Sequence, residues 1–140
     1  MNLYARWFSR VVWAGILANF LLFVIPCCFF PEKLLSFLHM RIPDPIIWVR
    51  LAGMLLFIIS VFYIPAAIDP YRYRATAWMS VLPSRALGAG FFLGAVFVFG
   101  QDKGFLTAGF TDLFFGVVQA ILLAQAMRPE NSVKPLAEVS

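Results

Sequence analysis

Charged residues are scarce in this chain of 140 residues, because only 13% of them are Asp, Glu, Lys or Arg. A soluble domain has about 25% charged residues, and about half of its residues are apolar. Here 62% are hydrophobic, and no polar stretch is long enough to form a separate soluble domain. The composition therefore argues against a water-soluble protein and indicates a single domain embedded in a membrane.

Histidine and cysteine, which supply most transition-metal sites, are almost absent. His39 is the only histidine, so this chain alone cannot hold a haem between two histidines, and a catalytic triad has a single candidate base. Motifs for phosphate-binding loops, zinc proteases and kinases are also absent. We therefore expect no enzyme activity and no cofactor held by this chain alone.

One set of soft ligands remains as a candidate metal site. Cys27, Cys28, His39 and Met40 lie on one side of the predicted spans, and thiols, an imidazole and a thioether suit copper. Their spacing matches no metal motif, and adjacent cysteines form a strained disulfide with one another. Copper handling is therefore one hypothesis, and a pair of buried, inert thiols is its alternative.

Long apolar runs are what the chain has in abundance. A bilayer core of about 30 Å needs about 20 helical residues. The runs predict an all-α fold, a four-helix transmembrane bundle, with spans at residues 11–30, 46–67, 75–100 and 105–127 of a domain that covers residues 1–128. The first run is too long for a signal-peptide core and no cleavage site follows it, so we expect it to stay as a helix. Residues 129–140 are a predicted polar cytoplasmic tail.

The third run is interrupted by Pro83, Ser84 and Arg85. Proline removes a backbone donor and clashes with the preceding turn, which kinks or breaks a helix. The sequence predicts one span that is kinked at Pro83. The alternative is that residues 71–82 lie along the membrane surface and that the span begins at Ser84.

The loop of residues 31–45 is the one with room for further structure. Pro31 and Glu32 are typical of a first helical turn, and apolar residues follow at positions 34, 35, 37 and 38. This pattern predicts a short amphipathic helix on the outer membrane surface, in the first outer loop.

Basic residues flank the predicted spans unequally. The side that holds both termini has six and the other side has three, namely Arg6, Arg10, Arg72, Arg74, Arg128 and Lys134 against Lys33, Arg41 and Lys103. This excess predicts that both termini are cytoplasmic. It also explains the net charge of +4 without a nucleic-acid partner. Trp and Tyr residues near span ends, Tyr63 among them, are predicted interfacial anchors.

Three ionisable residues lie inside the predicted spans, where a charge is costly and needs a partner. Asp112 is about 10 Å deep from the outer side, between Arg50 and Arg85 in height. The sequence therefore predicts a buried Arg50–Asp112–Arg85 cluster, with Gln119 on the same helix face as Asp112. Such a cluster is either a structural ion pair or a site for an anionic or quinone-like ligand or a proton path. Arg50 has the further option of extending outward to the surface.

Gly90 and Gly94 form a G-x-x-x-G pair in the third span. Small residues at this spacing permit close approach of a second helix. The pair lies on a different face from Arg85. We therefore expect one face of this helix to pack inside the bundle and the other to meet a partner subunit.

Short motifs stand at the span boundaries: Phe30-Pro31, Arg50-x-x-Gly53, Asp69-Pro70-Tyr71-Arg72-Tyr73-Arg74, Arg85-x-x-Gly88 and Asp112-Leu113-Phe114. In these motifs and in its layout the chain resembles the DoxX-like group of small bacterial four-helix membrane proteins. Some members of that group look like membrane partners of quinone-linked oxidoreductases. The resemblance implies a bacterial inner membrane and carries over no catalytic residue.

The leading functional expectation is a small accessory or structural subunit of a larger membrane complex, in electron transfer or photosynthesis. It rests on the short loops, on an aromatic content of 17% and on the spare glycine face. Membrane lipids and that complex are the expected partners, and any quinone or pigment contact would come through the complex. The alternatives are copper handling and a bundle that binds or transports a quinone or an anion through the buried cluster.

Overall fold

A computed structural model describes residues 2–128, and this part of the chain forms five helices. The predicted tail, residues 129–140, lies outside the described residues. The helices are α1 (Leu3–Phe29), α2 (Pro31–Phe37), α3 (Ile47–Ile68), α4 (Arg74–Phe97) and α5 (Phe105–Ala126). All but α2 are long and apolar enough to cross a membrane, and residues 2–128 contain no strand. The predicted all-α, four-helix transmembrane bundle is confirmed, and the chain is a multi-pass membrane protein.

Helix α1 begins at Leu3, well before the predicted span at residue 11. The side chain of Asn2 accepts a hydrogen bond of 2.8 Å from the backbone N–H of Ala5, as an N-cap residue does. Ala5 and Phe8 are both fully buried in the bundle. The apolar run therefore predicts which part of α1 lies in the membrane core. The first residue of the helix is instead set by the Asn2 cap and by the packing of Ala5 and Phe8.

Helix α4 is continuous through Pro83. The segment Ser80–Ala86 is wound as a wider π-helical turn, and an α-helix follows from Leu87. Since proline lacks an N–H and crowds the turn before it, the wider turn accommodates Pro83 without ending the helix. This geometry supports one continuous span with a wider turn at Pro83 rather than a surface helix that ends before Ser84.

The two ends of the bundle are packed differently. We call the end with residue 2 and residue 128 the terminus side, and the end with α2 and the α4–α5 loop the loop side. The main apolar core lies towards the terminus side and consists of Phe8, Val12, Ile16, Tyr63, Ala66, Ala67, Ala77, Val81 and Leu123. Helix α5 packs along α4 and on α1, whereas α3 packs mainly on α1. The bundle is thus closed by apolar contacts at the terminus side.

Helix α3 approaches α1 through small residues. A Cβ atom at Gly53 would lie 2.8 Å from the Cβ of Cys27 and 2.9 Å from the Sγ of Cys28, so only glycine fits there. Further along, the side-chain amide of Asn19 donates a hydrogen bond of 3.0 Å to the hydroxyl of Ser60. The close contact at Gly53 and the hydrogen bond at Ser60 hold α3 against α1.

The loop side carries the predicted short helix, α2. Within α2, Pro31 and Leu35 are buried against the bundle, whereas Glu32 and Lys33 are exposed, so the helix is amphipathic. The segment after α2 is tied to the α4–α5 loop, because Arg41 donates from its backbone to Asp102 at 2.9 Å and from its Nε at 3.2 Å. These bonds, the backbone one first, hold the pKa of Asp102 below its usual range, so its carboxylate is charged at neutral pH.

We expect Gly53→Ala to destabilise the protein by about 1–3 kcal/mol, because the added methyl group overlaps Cys27 and Cys28. Gly90→Ala is the matched control, since a Cβ atom there meets nothing within 4 Å; it should stabilise the helix by up to about 1 kcal/mol. Unfolding of purified protein in mixed micelles, titrated with a denaturing detergent, measures both. Equal stabilities of the two variants would contradict the observed α1–α3 contact.

Candidate functional site

Arg85 is a buried cation near the middle of a membrane-spanning helix, with a relative exposure of 2%. Its Nη1 donates to Asp112 Oδ1 at 2.8 Å and to Asn19 Oδ1 at 3.3 Å. The guanidinium carbon lies 5.5 Å from the ring centre of Tyr63 and 5.3 Å from that of Phe115. A charge in a membrane interior is stabilised by an opposite charge, by hydrogen bonds and by aromatic faces, and Arg85 has all three.

Side chains from all four spanning helices meet around this cation. Asn19 of α1 bridges Arg85 to Ser60 of α3. The hydroxyl of Tyr63 on α3 pairs with the hydroxyl of Ser84 on α4. Asp112 of α5 completes the set. We call these six residues the arginine network: Asn19, Ser60, Tyr63, Ser84, Arg85 and Asp112.

Glycines on three helices make room for the network. A Cβ atom at Gly15 would lie 2.9 Å from Arg85 Nη2, and one at Gly116 would lie 3.1 Å from the Cβ of Arg85. A Cβ atom at Gly88 would overlap Asp112 Oδ2. Atoms of Arg85 and Asp112 thus occupy the space that a Cβ atom would take at each glycine. The absence of these Cβ atoms lets the helices approach each other closely enough for the ion pair to form.

The structure brings together two of the three residues in the predicted cluster. Arg85 and Asp112 form an ion pair. The inclusion of Arg50 is wrong, because Arg50 is exposed and forms no ion pair with any residue in the range 2–128. The physical reason is that one carboxylate neutralises one arginine, and that Arg50, near the start of α3, reaches the surface.

Gln119 lies inside the bundle, on the face of α5 that also carries Gly116. Its side chain is fully buried, and neither amide atom has a hydrogen-bond partner among the described residues. The same holds for Arg85 Nε and Nη2. A Cβ atom at Gly15 would lie 3.4 Å from Gln119 Nε2, so the amide and the guanidinium both approach the backbone of α1 at this point.

A cavity of about 750 Å³ extends from the loop side to the arginine network. Its walls are mostly apolar, and Phe23, Leu56, Ile59, Phe92 and Phe105 are among the residues that form them. Asn19, Tyr63, Ser84, Arg85 and Asp112 line its deep end, whereas Arg41 and Asp102 line it near the loops. Small-molecule sites in proteins have volumes of about 300–1,000 Å³, apolar walls and a few placed polar groups. The cavity has these properties.

The soft ligands proposed for copper are not brought together. Among residues 2–128 no three His, Cys, Asp or Glu side chains are close enough to hold a metal ion. Cys27 lines the cavity, whereas the thiol of Cys28 points to the backbone oxygen of Arg50 at 3.8 Å. His39 is exposed and follows the end of α2. Met40 packs against Gly104 of the opposite loop.

The glycine pair of α4 faces outward. A Cβ atom at Gly90 or at Gly94 would meet nothing within 4 Å. The two glycines therefore do not serve packing against another described helix of this chain. Their face is free for contact with lipid or with another protein.

Several members of the site are absent from the sequence prediction. Tyr63 is predicted as an interfacial anchor, but its relative exposure is 5% and its hydroxyl bonds Ser84. The sequence signal for Tyr63 is ambiguous, because aromatic residues at span ends are common whether or not they face inward. Gly15 and Gly88 carry no signal of their own, since their role depends on how the helices are rotated.

Comparison with protein-family models, with curated proteins and with solved structures finds no match for this chain. The resemblance to the DoxX-like group therefore stays a prediction. The function has to be inferred from the geometry of the site itself.

We expect Asp112→Ala to destabilise the protein by about 3–5 kcal/mol, because it leaves the buried Arg85 charge without its partner. The double variant Arg85→Met/Asp112→Ala should regain most of that loss, since it removes the charge as well. Arg50→Met is the matched control and should change the unfolding free energy by less than about 0.5 kcal/mol. Unfolding in mixed micelles measures all three, and an additive double variant would contradict a coupled pair.

Proposed function

We propose that this chain binds an amphiphilic small molecule in the cavity, with the apolar body along the walls and the polar head at the arginine network. The observation that carries the proposal is the position of Asp112. Its side chain pairs with Arg85 and is also 20% exposed, and it lines the deep end of an apolar cavity. A purely structural ion pair has no need of an open apolar space beside it, whereas a binding site does.

Binding is favoured over transport because the residues that line the cavity do not extend past the arginine network towards the terminus side. The cavity reaches from the loops to Arg85, and beyond Arg85 the apolar core around Phe8, Val12 and Leu123 closes the bundle. These three side chains have relative exposures of 1% or less. A continuous path through the protein would require this packed region to separate.

The chain is proposed to lie in the bacterial cytoplasmic membrane with both termini in the cytoplasm. The unequal distribution of Lys and Arg around the spans supports this orientation. The loop side, whose residues line one end of the cavity, then faces away from the cytoplasm.

The experiment that tests binding fills the cavity without touching the arginine network. Ala108 lines the cavity, and Ala108→Trp adds a large apolar side chain there. Ala124 is exposed on the same helix, away from the cavity, so Ala124→Trp is the matched control. We expect Ala108→Trp to weaken binding of a farnesyl-chain amphiphile by tenfold or more, and Ala124→Trp to leave it unchanged, because only the first occupies the ligand's volume.

The measurement is equilibrium binding of radiolabelled farnesol and farnesyl methyl ether to purified protein in lipid nanodiscs. Empty nanodiscs correct for partition of the probe into lipid. If neither probe binds the wild-type chain above the empty discs, or if both tryptophan variants bind equally, the proposed function is wrong.

The second candidate is a role as an accessory subunit of a larger membrane complex, in electron transfer or photosynthesis. The observation that favours it is the outward face of α4, where Gly90 and Gly94 leave space for a closely packed helix. An accessory role and ligand binding are compatible, because this face and the cavity involve different surfaces.

We expect Gly90→Leu/Gly94→Leu to reduce co-purification of a stoichiometric partner from native membranes, because the larger side chains prevent close helix approach. Ile121→Ala, at an exposed position of α5 rather than of α4, is the control and should keep the partner. Affinity purification in mild detergent with quantitative mass spectrometry measures the ratio. A chain that purifies alone, without any stoichiometric partner, would contradict the accessory role.

A further inference from the structure

The deep end of the cavity offers no hydrogen-bond donor from Arg85, although Arg85 lines it. Nη1 already donates to Asp112 and to Asn19. Nε and Nη2 are buried, with no partner among the described residues, and Nη2 points at the backbone of Gly15 on α1. A molecule in the cavity therefore meets the arginine as a structural element and not as an open anion-binding group.

Asp112 is the group that the cavity presents. Its Oδ1 accepts from Arg85, and none of the hydrogen bonds within residues 2–128 ends on its Oδ2. Oδ2 lies against Gly88, where a Cβ atom would overlap it. An ionised carboxylate is an acceptor only. When an apolar molecule fills the cavity and displaces solvent, Oδ2 becomes a buried acceptor that needs a donor.

The charges at the deep end already cancel. Arg85 contributes one positive charge and Asp112 one negative charge, and the two are paired at 2.8 Å. An anionic head would leave a net negative charge in the membrane interior, and a cationic head would leave a net positive one. Uncompensated buried charge is unfavourable, so the site favours an uncharged head.

The hydroxyl pair of Tyr63 and Ser84 adds a second requirement. Each hydroxyl has one donor hydrogen and two acceptor lone pairs, and one of the two hydrogens is used between them. The pair lines the same deep end and retains one hydrogen to donate. A hydroxyl head both donates to Asp112 and accepts from this pair, whereas a carbonyl or ether head does only the second.

We propose that the ligand is an uncharged amphiphile with a hydroxyl head, which donates its hydrogen bond to Asp112 Oδ2. This inference rests on the proposed function and specifies the chemistry of its ligand. Alcohols of isoprenoid lipids and the reduced, hydroxyl form of quinones share this chemistry. Oxidised quinones, fatty acids and long-chain amines do not.

The test compares heads on one apolar body, so that wall contacts are equal. Wild-type protein in nanodiscs is titrated with farnesol, farnesyl methyl ether, farnesoic acid and farnesylamine, and each value is corrected with empty nanodiscs. We expect farnesol to bind at least about tenfold more tightly than its methyl ether, since a hydrogen bond to a charged acceptor has about that effect. The acid and the amine should bind more weakly than farnesol.

A second arm removes the acceptor from the protein. In the double variant Arg85→Met/Asp112→Ala, both charges are gone, and farnesol and its ether should bind within about twofold of each other. A second matched pair, a quinol and its quinone, is titrated in the same way, and comparison with farnesol distinguishes the two sources of the hydroxyl. A wild-type chain that binds the ether as tightly as the alcohol, or binds the alcohol but prefers the acid or the amine, overturns the hydroxyl assignment while leaving the proposed function standing. A chain that binds neither the alcohol nor the ether overturns both.

Discussion

The constraint on which the rest of this structure depends is the burial of the Arg85 charge in the middle of a membrane-spanning helix. A lone guanidinium in a bilayer core is strongly unfavourable. Asp112 supplies the opposite charge at 2.8 Å, Asn19 supplies an acceptor, and two aromatic rings cover the faces of the cation. Because these partners come from different helices, satisfying one side chain sets the relative positions of α1, α3, α4 and α5.

The arginine network also marks the boundary between the closely packed part of the bundle and the part that holds the cavity. Between the network and the terminus side, apolar and small residues such as Val12 and Ala77 are buried in one core. On the other side of the network, α3 rests on α1 and stays apart from α4 and α5, and the cavity occupies the space between them. The wide turn of α4 at Pro83 lies at this transition, and such turns are frequent at functional sites.

The sequence predicts the architecture well because the length of an apolar run is a local property, and the thickness of the bilayer core sets the length that a span requires. It also predicts the Asp112–Arg85 pair, since charges inside spans are few and opposite charges must meet. Arg50 shows the limit, because its depth in the sequence does not tell whether it faces inward or reaches the surface. Tyr63 and Gly88 show a second limit, since their roles follow from the rotation of helices about their axes, which residue type does not specify.

A bundle that served only as a scaffold would gain stability from Met or Leu in place of a buried ion pair, because well-packed apolar side chains avoid the desolvation of two charges. This chain instead keeps Arg85 enclosed and leaves Asp112 partly open to an apolar cavity. Arg85 then stabilises the ionised form of Asp112 without occupying both of its oxygens. The pair therefore acts as a neutral unit with one available acceptor, and that acceptor gives the deep end of the cavity its chemical selectivity.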